Sequence, residues 1–207
     1  MNTHRYLLFL VGSLMIALVL ILPIILPPTT WAGTPVLQET LTPTAFLYLP
    51  YVTRHYPPLE DLEGAARLTW WSPDPSVFNY FRTNYLAHGG SWSLRVEYRK
   101  TNIYQFLGAE PRPELRNFSW AQTLEVWVYG QVTLFLKLED QQLRQADVAT
   151  LTTTSPTMWT LLRFNYAHTA TSIDLAHIKN LFFFPAPGNP TATGVIYLDD
   201  ISVSSEP

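Results

Sequence analysis

Beyond residue 90 apolar and polar positions alternate with the two-residue period of strands, and no long stretch carries the 3.6-residue period of a helix. In residues 124–129, Leu124, Val126 and Val128 fall on one face and Glu125, Trp127 and Tyr129 on the other. Residues 133–139 repeat the division, with Leu134, Leu136 and Leu138 opposite Thr133, Phe135, Lys137 and Glu139. Two neighbouring strands that each oppose an aliphatic face to an aromatic and charged one predict a sandwich with the aliphatic faces inside. Residues 159–166 divide Trp159, Leu161 and Arg163 from Leu162, Phe164 and Tyr166, and the apolar run 181–184 reads as a buried strand. One helical turn is expected within residues 173–178, and residues 185–190, rich in proline, form the last loop. No repeat at solenoid spacing interrupts this pattern. The expected class is all-β, an antiparallel β-sandwich.

The front of the chain follows another rule. Residues 6–26 are almost unbroken apolar sequence, behind a start that holds Arg5 and no acid. The expected structure is an apolar helix. Small residues flank Trp31 at Thr30 and Ala32, so residues 1–32 read as an export signal cleaved after Ala32. At ~20 residues the run also suffices to span a bilayer, which makes an uncleaved anchor the alternative. Residues 33–60 are rich in Thr and Pro and enclose an extended apolar segment around Phe46, Tyr48 and Tyr51. Prolines 43, 50, 57 and 58 forbid a helix there, leaving a linker with an edge strand or tether, or a short surface-association motif. The sandwich itself is expected over residues 61–207, outside the cell or on its surface.

Composition narrows the function. The chain has no cysteine, which removes disulfides, thiolate metal sites and cysteine nucleophiles together. With 47% hydrophobic residues it can be stabilised by its core alone. A net charge of −3 and the lack of a basic cluster argue against nucleic acid, and membrane contact is expected only through the N-terminal segment. The five histidines show no metal-ligand spacing, no Gly-x-Ser-x-Gly elbow occurs, and Glu97, Glu125 and Glu139 are a trio that many β-rich chains contain. The protein is expected not to be an enzyme.

The last strand puts Asp199 and Asp200 side by side within β-branched and aromatic sequence, where at least one carboxylate must meet the body of the domain and find a partner. Together with Asp61-Leu62-Glu63-Gly64, the Gly90-Ser91-Trp92-Ser93 strand start, and the strands at 124–129, 134–140 and 159–164, this tail resembles the galactose-binding-like β-sandwich, the jelly roll of many carbohydrate-binding modules. The resemblance covers residues 61–203. It implies a structural calcium held by Glu63 or Asp61, backbone around His88, and Asp199; the alternative is that Asp199 or Asp200 caps turn amides or pairs with Arg67 or Arg95. It also implies a polysaccharide or cell-surface glycan as partner. A pyranose ring has one apolar face, which planar aromatics suit. Two clusters supply them: the solvent side of the central strands with Trp127, Tyr129, Phe135 and Arg95, and residues 70–88 with Trp71, Tyr80 and Tyr85. Trp70, Trp92 and Trp159 are expected in the core. The competing class is a structural or adhesive surface protein with the same fold and no sugar binding.

Overall fold

Ten strands and two short 3-10 turns follow one another in the computed structural model, which describes residues 58–206. The signal, anchor and linker expectations for residues 1–57 lie outside the described residues. The strands are β1 (Leu68–Trp71), β2 (Phe78–Thr83), β3 (Ser93–Arg99), β4 (Leu107–Pro111), β5 (Thr123–Tyr129), β6 (Thr133–Asp140), β7 (Gln145–Thr152), β8 (Trp159–Asn165), β9 (Ile178–Pro185) and β10 (Thr193–Ser204). They form two five-stranded antiparallel sheets, ordered β1-β4-β9-β6-β7 and β2-β3-β10-β5-β8. Consecutive strands therefore often lie in different sheets, as a jelly roll requires.

The alternation read from the sequence explains the packing. Leu124, Val126 and Val128 of β5 and Leu134, Leu136 and Leu138 of β6 are all fully buried, but they face each other across the sandwich because β5 and β6 belong to opposite sheets. Phe135 and Lys137 therefore do not share a surface with Trp127 and Tyr129, contrary to expectation. Pairing cannot be read from alternation alone: a strand of either sheet has the same inside and outside. Residues 70–88, expected as a loop-like insertion, contain the end of edge strand β1 and the whole of edge strand β2, with loops at 72–77 and 84–88.

The first and last parts of the described residues meet. Glu60 bridges Ile201 of β10, and the buried Glu60 carboxylate accepts the N–H groups of Leu62, Arg67 and Leu68. Leu59 and Glu60, upstream of residue 61, are thus part of the folded body. At the end of β6 Asp140, wholly buried, accepts the amides of Gln142, Arg144 and Asp174 and is gripped by the Arg144 guanidinium at 2.6 and 2.7 Å. Burial acts to raise its pKa, but these donors outweigh it and hold the carboxyl at about 2.

On the outside of β1-β4-β9-β6-β7 lies an aromatic band. Trp71 meets Phe106 and Phe182 edge-on at 5.5 and 5.9 Å, and Phe184 continues the band to Phe135 at 5.4 Å. Gly108 makes room for the indole, since a Cβ there would lie 2.4 Å from Trp71 Cε2. Gly108→Ala is therefore expected to cost about 1–3 kcal/mol through overpacking. Denaturant unfolding checks this, and a variant as stable as the parent would show that Trp71 swings aside freely.

Candidate functional site

Each strand of the second sheet contributes one side chain to a single outward row. The registers pair Phe81 of β2 with Arg95 of β3, Arg95 with Tyr197 of β10, Tyr197 with Tyr129 of β5, and Tyr129 with Trp159 of β8. Residues directly opposite in a sheet share a face, so the row Phe81, Arg95, Tyr197, Tyr129, Trp159 crosses all five strands. At the usual spacing between strands it is about 19 Å long. Tyr129 packs edge-on against both Trp159, at 5.7 Å, and Tyr197, at 6.0 Å. Tyr85, 80% exposed, stacks over Tyr197 at 6.4 Å and 28°. The Arg95 guanidinium lies 5.8 and 5.9 Å from the Phe81 and Tyr197 rings and forms an ion pair with Glu97 at 2.8 Å, while its Nε is buried without a hydrogen-bond partner.

The next position along each strand bounds this row. On one side Asn79, Glu97 and Val195 border a hollow of about 470 Å³. On the other, Asp199, Trp127 and Leu161 lie in register, and the strap of residues 86–92 passes over Asp199 and Trp127. Asp199, fully buried under the strap, accepts the N–H groups of His88 at 2.7 Å and Gly89 at 3.4 Å. Glu63 accepts those of Ser91 and Trp92, both at 2.7 Å. Gly90 has φ +65° and a Cβ there would strike the Glu63 carboxylate at 2.4 Å, so this turn requires glycine. The His88 imidazole is stacked on Trp127 and bonded to Asp200.

Burial pushes the Asp199 carboxyl up to about 6, with neighbouring Asp200 adding to the rise, while the His88, Asp200 and Gly89 amides oppose it. A carboxyl with a raised folded-state pKa holds its proton more tightly than in the unfolded chain. It lowers stability above about pH 6, and that penalty disappears as pH falls toward the ordinary value near 4. The parent is therefore expected to gain up to about 3 kcal/mol relative to Asp199→Asn on going from pH 8 to pH 4. Melting curves across this range check it. Parallel pH profiles for the two proteins would show that Asp199 does not titrate there.

The calcium expectation meets an unfavourable donor set. Glu63 and Asp199 come to one strap, but the groups pointing at their oxygens are amide N–H donors, whereas calcium requires a cage of six or more oxygens. Asp61 Oδ1 accepts the Glu63 N–H. Among the described residues no group of three or more His, Asp or Glu is placed to hold a metal ion. Asp199 caps amides of the strap, and Asp200 pairs with His88 rather than with Arg67 or Arg95.

Of the ligand residues expected from sequence, Arg95 and Tyr129 lie in the row, Tyr85 above it and Trp127 beside it under His88. Trp71 and Phe135 lie on the opposite sheet. Tyr80 points inward, packs on the core and donates its hydroxyl to the Trp70 carbonyl. Trp70 and Trp92 pack against the core, but Trp159, expected there too, is on the outer face because it pairs with Tyr129. Trp159 and Tyr197 carried no ligand expectation, while Phe81 and His88 fall within the 70–88 cluster without being singled out as ligand contacts. The alternation did put Trp159 on the face of Arg163, the polar side of its strand, and that was the available signal.

Structural comparison matches this fold with solved domains over about seven-tenths of the chain. The family 11 carbohydrate-binding module of a cellulosomal cellulase of Clostridium thermocellum superposes with a TM-score of 0.52 at 12% identity, covering 72% of this chain and 93% of that one. A family 11 carbohydrate-binding module from C. thermocellum in complex with a β-1,3-1,4-mixed-linked tetrasaccharide gives 0.52 at 12%, covering 71% and 94%. A family 22 xylan-binding domain from Paenibacillus barcinonensis gives 0.50 at 15%, covering 72% and 94%. The fold is that of the β-sandwich carbohydrate-binding modules. No protein-family model and no curated protein matches the sequence. At such identities the carbohydrate-binding-module fold is shared and side chains are not, so the site must be argued from its own residues.

The charges around the row are paired locally. Arg95 meets Glu97, Arg163 meets Glu125 at 2.9 Å, and His88 meets Asp200 at 2.7 Å. Glu97 and Glu125 are each tied to an arginine, and Glu139 lies buried on the other sheet, held by Asn180 and Gln145. The trio is not arranged around one cleft.

Proposed function

We propose that the domain binds a polysaccharide chain across the outer face of the β2-β3-β10-β5-β8 sheet, without acting on it chemically, outside the cell or on its surface. The observation that carries this reading is the row of Phe81, Arg95, Tyr197, Tyr129 and Trp159, one residue from every strand. A sugar chain laid across the strands meets successive aromatic rings, which suit the apolar faces of pyranoses, and Arg95 between them supplies hydrogen-bond donors. Locally paired charges favour an uncharged polymer, since a charged one would have to break those pairs. The solved modules of this fold that bind a mixed-linked glucan or xylan support the reading by analogy. Export follows from the apolar run at residues 6–26 and the Thr30-Trp31-Ala32 site. A glycan array probed with the exported chain tests the function. Retention of neutral β-linked polysaccharides is expected, and a blank array overturns it.

The band of Trp71, Phe106, Phe182, Phe184 and Phe135 favours a second reading, an adhesive surface domain whose other sheet docks a protein. Under that reading Trp71→Ala weakens attachment of the protein to its surface, and Trp159→Ala does not.

A further inference from the structure

His88 stands above the level of the aromatic row rather than in it. Its imidazole lies on the Trp127 indole with centroids 3.7 Å apart and planes 15° apart, and it meets Trp159, the end of the aromatic row, edge-on at 5.7 Å. It is therefore raised by one ring thickness beside the row. Its Nδ1 lies 2.7 Å from Asp200 Oδ2. An ionised carboxylate only accepts, so Nδ1 carries the proton, and in the neutral ring Nε2 is an acceptor. No described residue hydrogen-bonds to Nε2.

The fold makes concessions to this placement. Asp200 adopts φ +43°, in the left-handed region, at an irregularity where β10 shifts register against β5. Gly89 leaves space for the same carboxylate, since a Cβ there would lie 2.6 Å from Asp200 Oδ2. Asp199 beneath fixes the His88 backbone. Strained backbone and a glycine kept small around a single carboxylate-imidazole contact point to a task for the imidazole.

We infer that His88 is the specificity-determining residue of the aromatic row, its Nε2 accepting a hydroxyl that rises from the rim of the sugar seated against Trp159, and that Asp200 is its positioning residue. This rests on the polysaccharide reading above. A pyranose lying on aromatic rings carries its ring hydroxyls around the rim, and the exocyclic hydroxymethyl of a hexose is the group that can turn up toward a raised acceptor. A pentose chain has no such group. The site accordingly favours a glucan over a xylan. One hydrogen bond at a partly exposed wall corresponds to a preference of about three- to tenfold.

The test is calorimetric titration of the full chain and its variants with two probes, a β-1,3-1,4-linked glucan tetrasaccharide and xylotetraose. Melting curves confirm that each variant is folded. The parent is expected to prefer the glucan about three- to tenfold. His88→Ala, and His88→Phe, which keeps a ring on Trp127 but no acceptor, bind both probes equally, and Asp200→Asn shows a reduced preference. A His88→Phe variant that keeps the parent's preference overturns the inference, leaving His88 a spacer. So does a parent that binds the probes equally, prefers xylotetraose, or binds other glycans of an array and neither probe; the polysaccharide reading survives these results. A parent that binds no glycan at all overturns that reading and the inference with it. Full preference in Asp200→Asn removes the positioning role of Asp200.

Discussion

Replacing Trp159 and Tyr129 together by alanine is expected to abolish polysaccharide binding while leaving the domain folded. Both rings sit half-buried on the outer face, where their removal opens no internal cavity, because the inward faces of β5 and β8 are filled by Leu124, Val126, Val128, Leu162 and Phe164. Aromatic rings that anchor an interface contribute about 2 kcal/mol each, so either single variant is expected to weaken binding roughly 30-fold. Their edge-on contact at 5.7 Å makes the two effects non-additive, since losing one ring frees the other to move. The measurement is a titration of both single variants and the double variant, with melting curves alongside. Unchanged affinity in the folded double variant would remove the row from the binding site. Trp127→Ala separates the roles further, because its indole face is occupied by His88 and a glycan reaches it only through that residue.

The largest loss of stability is expected from Asp140→Ala. The buried carboxylate serves three backbone amides and a guanidinium, and tethers the β6–β7 turn to the segment before the second 3-10 turn. Alanine leaves those amides without an acceptor where water has poor access, at a cost of about 3–5 kcal/mol. In a domain of this size the melting temperature would fall by on the order of 10 °C. The pH dependence has a definite sign. The folded carboxyl titrates at about 2, below its unfolded value of 3.8, so its contribution is complete above pH 4 and is lost as pH falls through 2. Acid titration of stability in the parent and in Asp140→Ala checks this. If the two converge already at pH 5, the interactions at Asp140 are not what holds the turn.

The strands were legible in the sequence because burial on one face imposes a two-residue period, and residues such as Leu124, Val126 and Val128 obey it without exception. The assignment of strands to sheets was not. Phe135 and Tyr129 look equivalent along the chain, and only the strand orders place them on opposite sides of the sandwich. Tyr197 was hidden by the adjacent acids, which drew the reading of β10 toward metal chemistry. The paired carboxylates did mark a constrained place, yet their partners are the amides and imidazole of the strap, contacts between residues some 110 positions apart. Tyr80 and Tyr85, five residues apart, part company for a local reason: Tyr80 lies on the inward face of β2, and Tyr85 follows the strand's end.

The central claim is that the outer face of β2-β3-β10-β5-β8 holds a sugar chain. Its most direct measurement is the perturbation of side-chain NMR signals when a neutral β-linked oligosaccharide is added to the full chain. Shifts confined to Phe81, Tyr85, Tyr129, Trp159, Tyr197 and His88, saturating with a single affinity, are the predicted result. Saturable shifts at Trp71, Phe106 and Phe135 with this row unmoved would contradict the account.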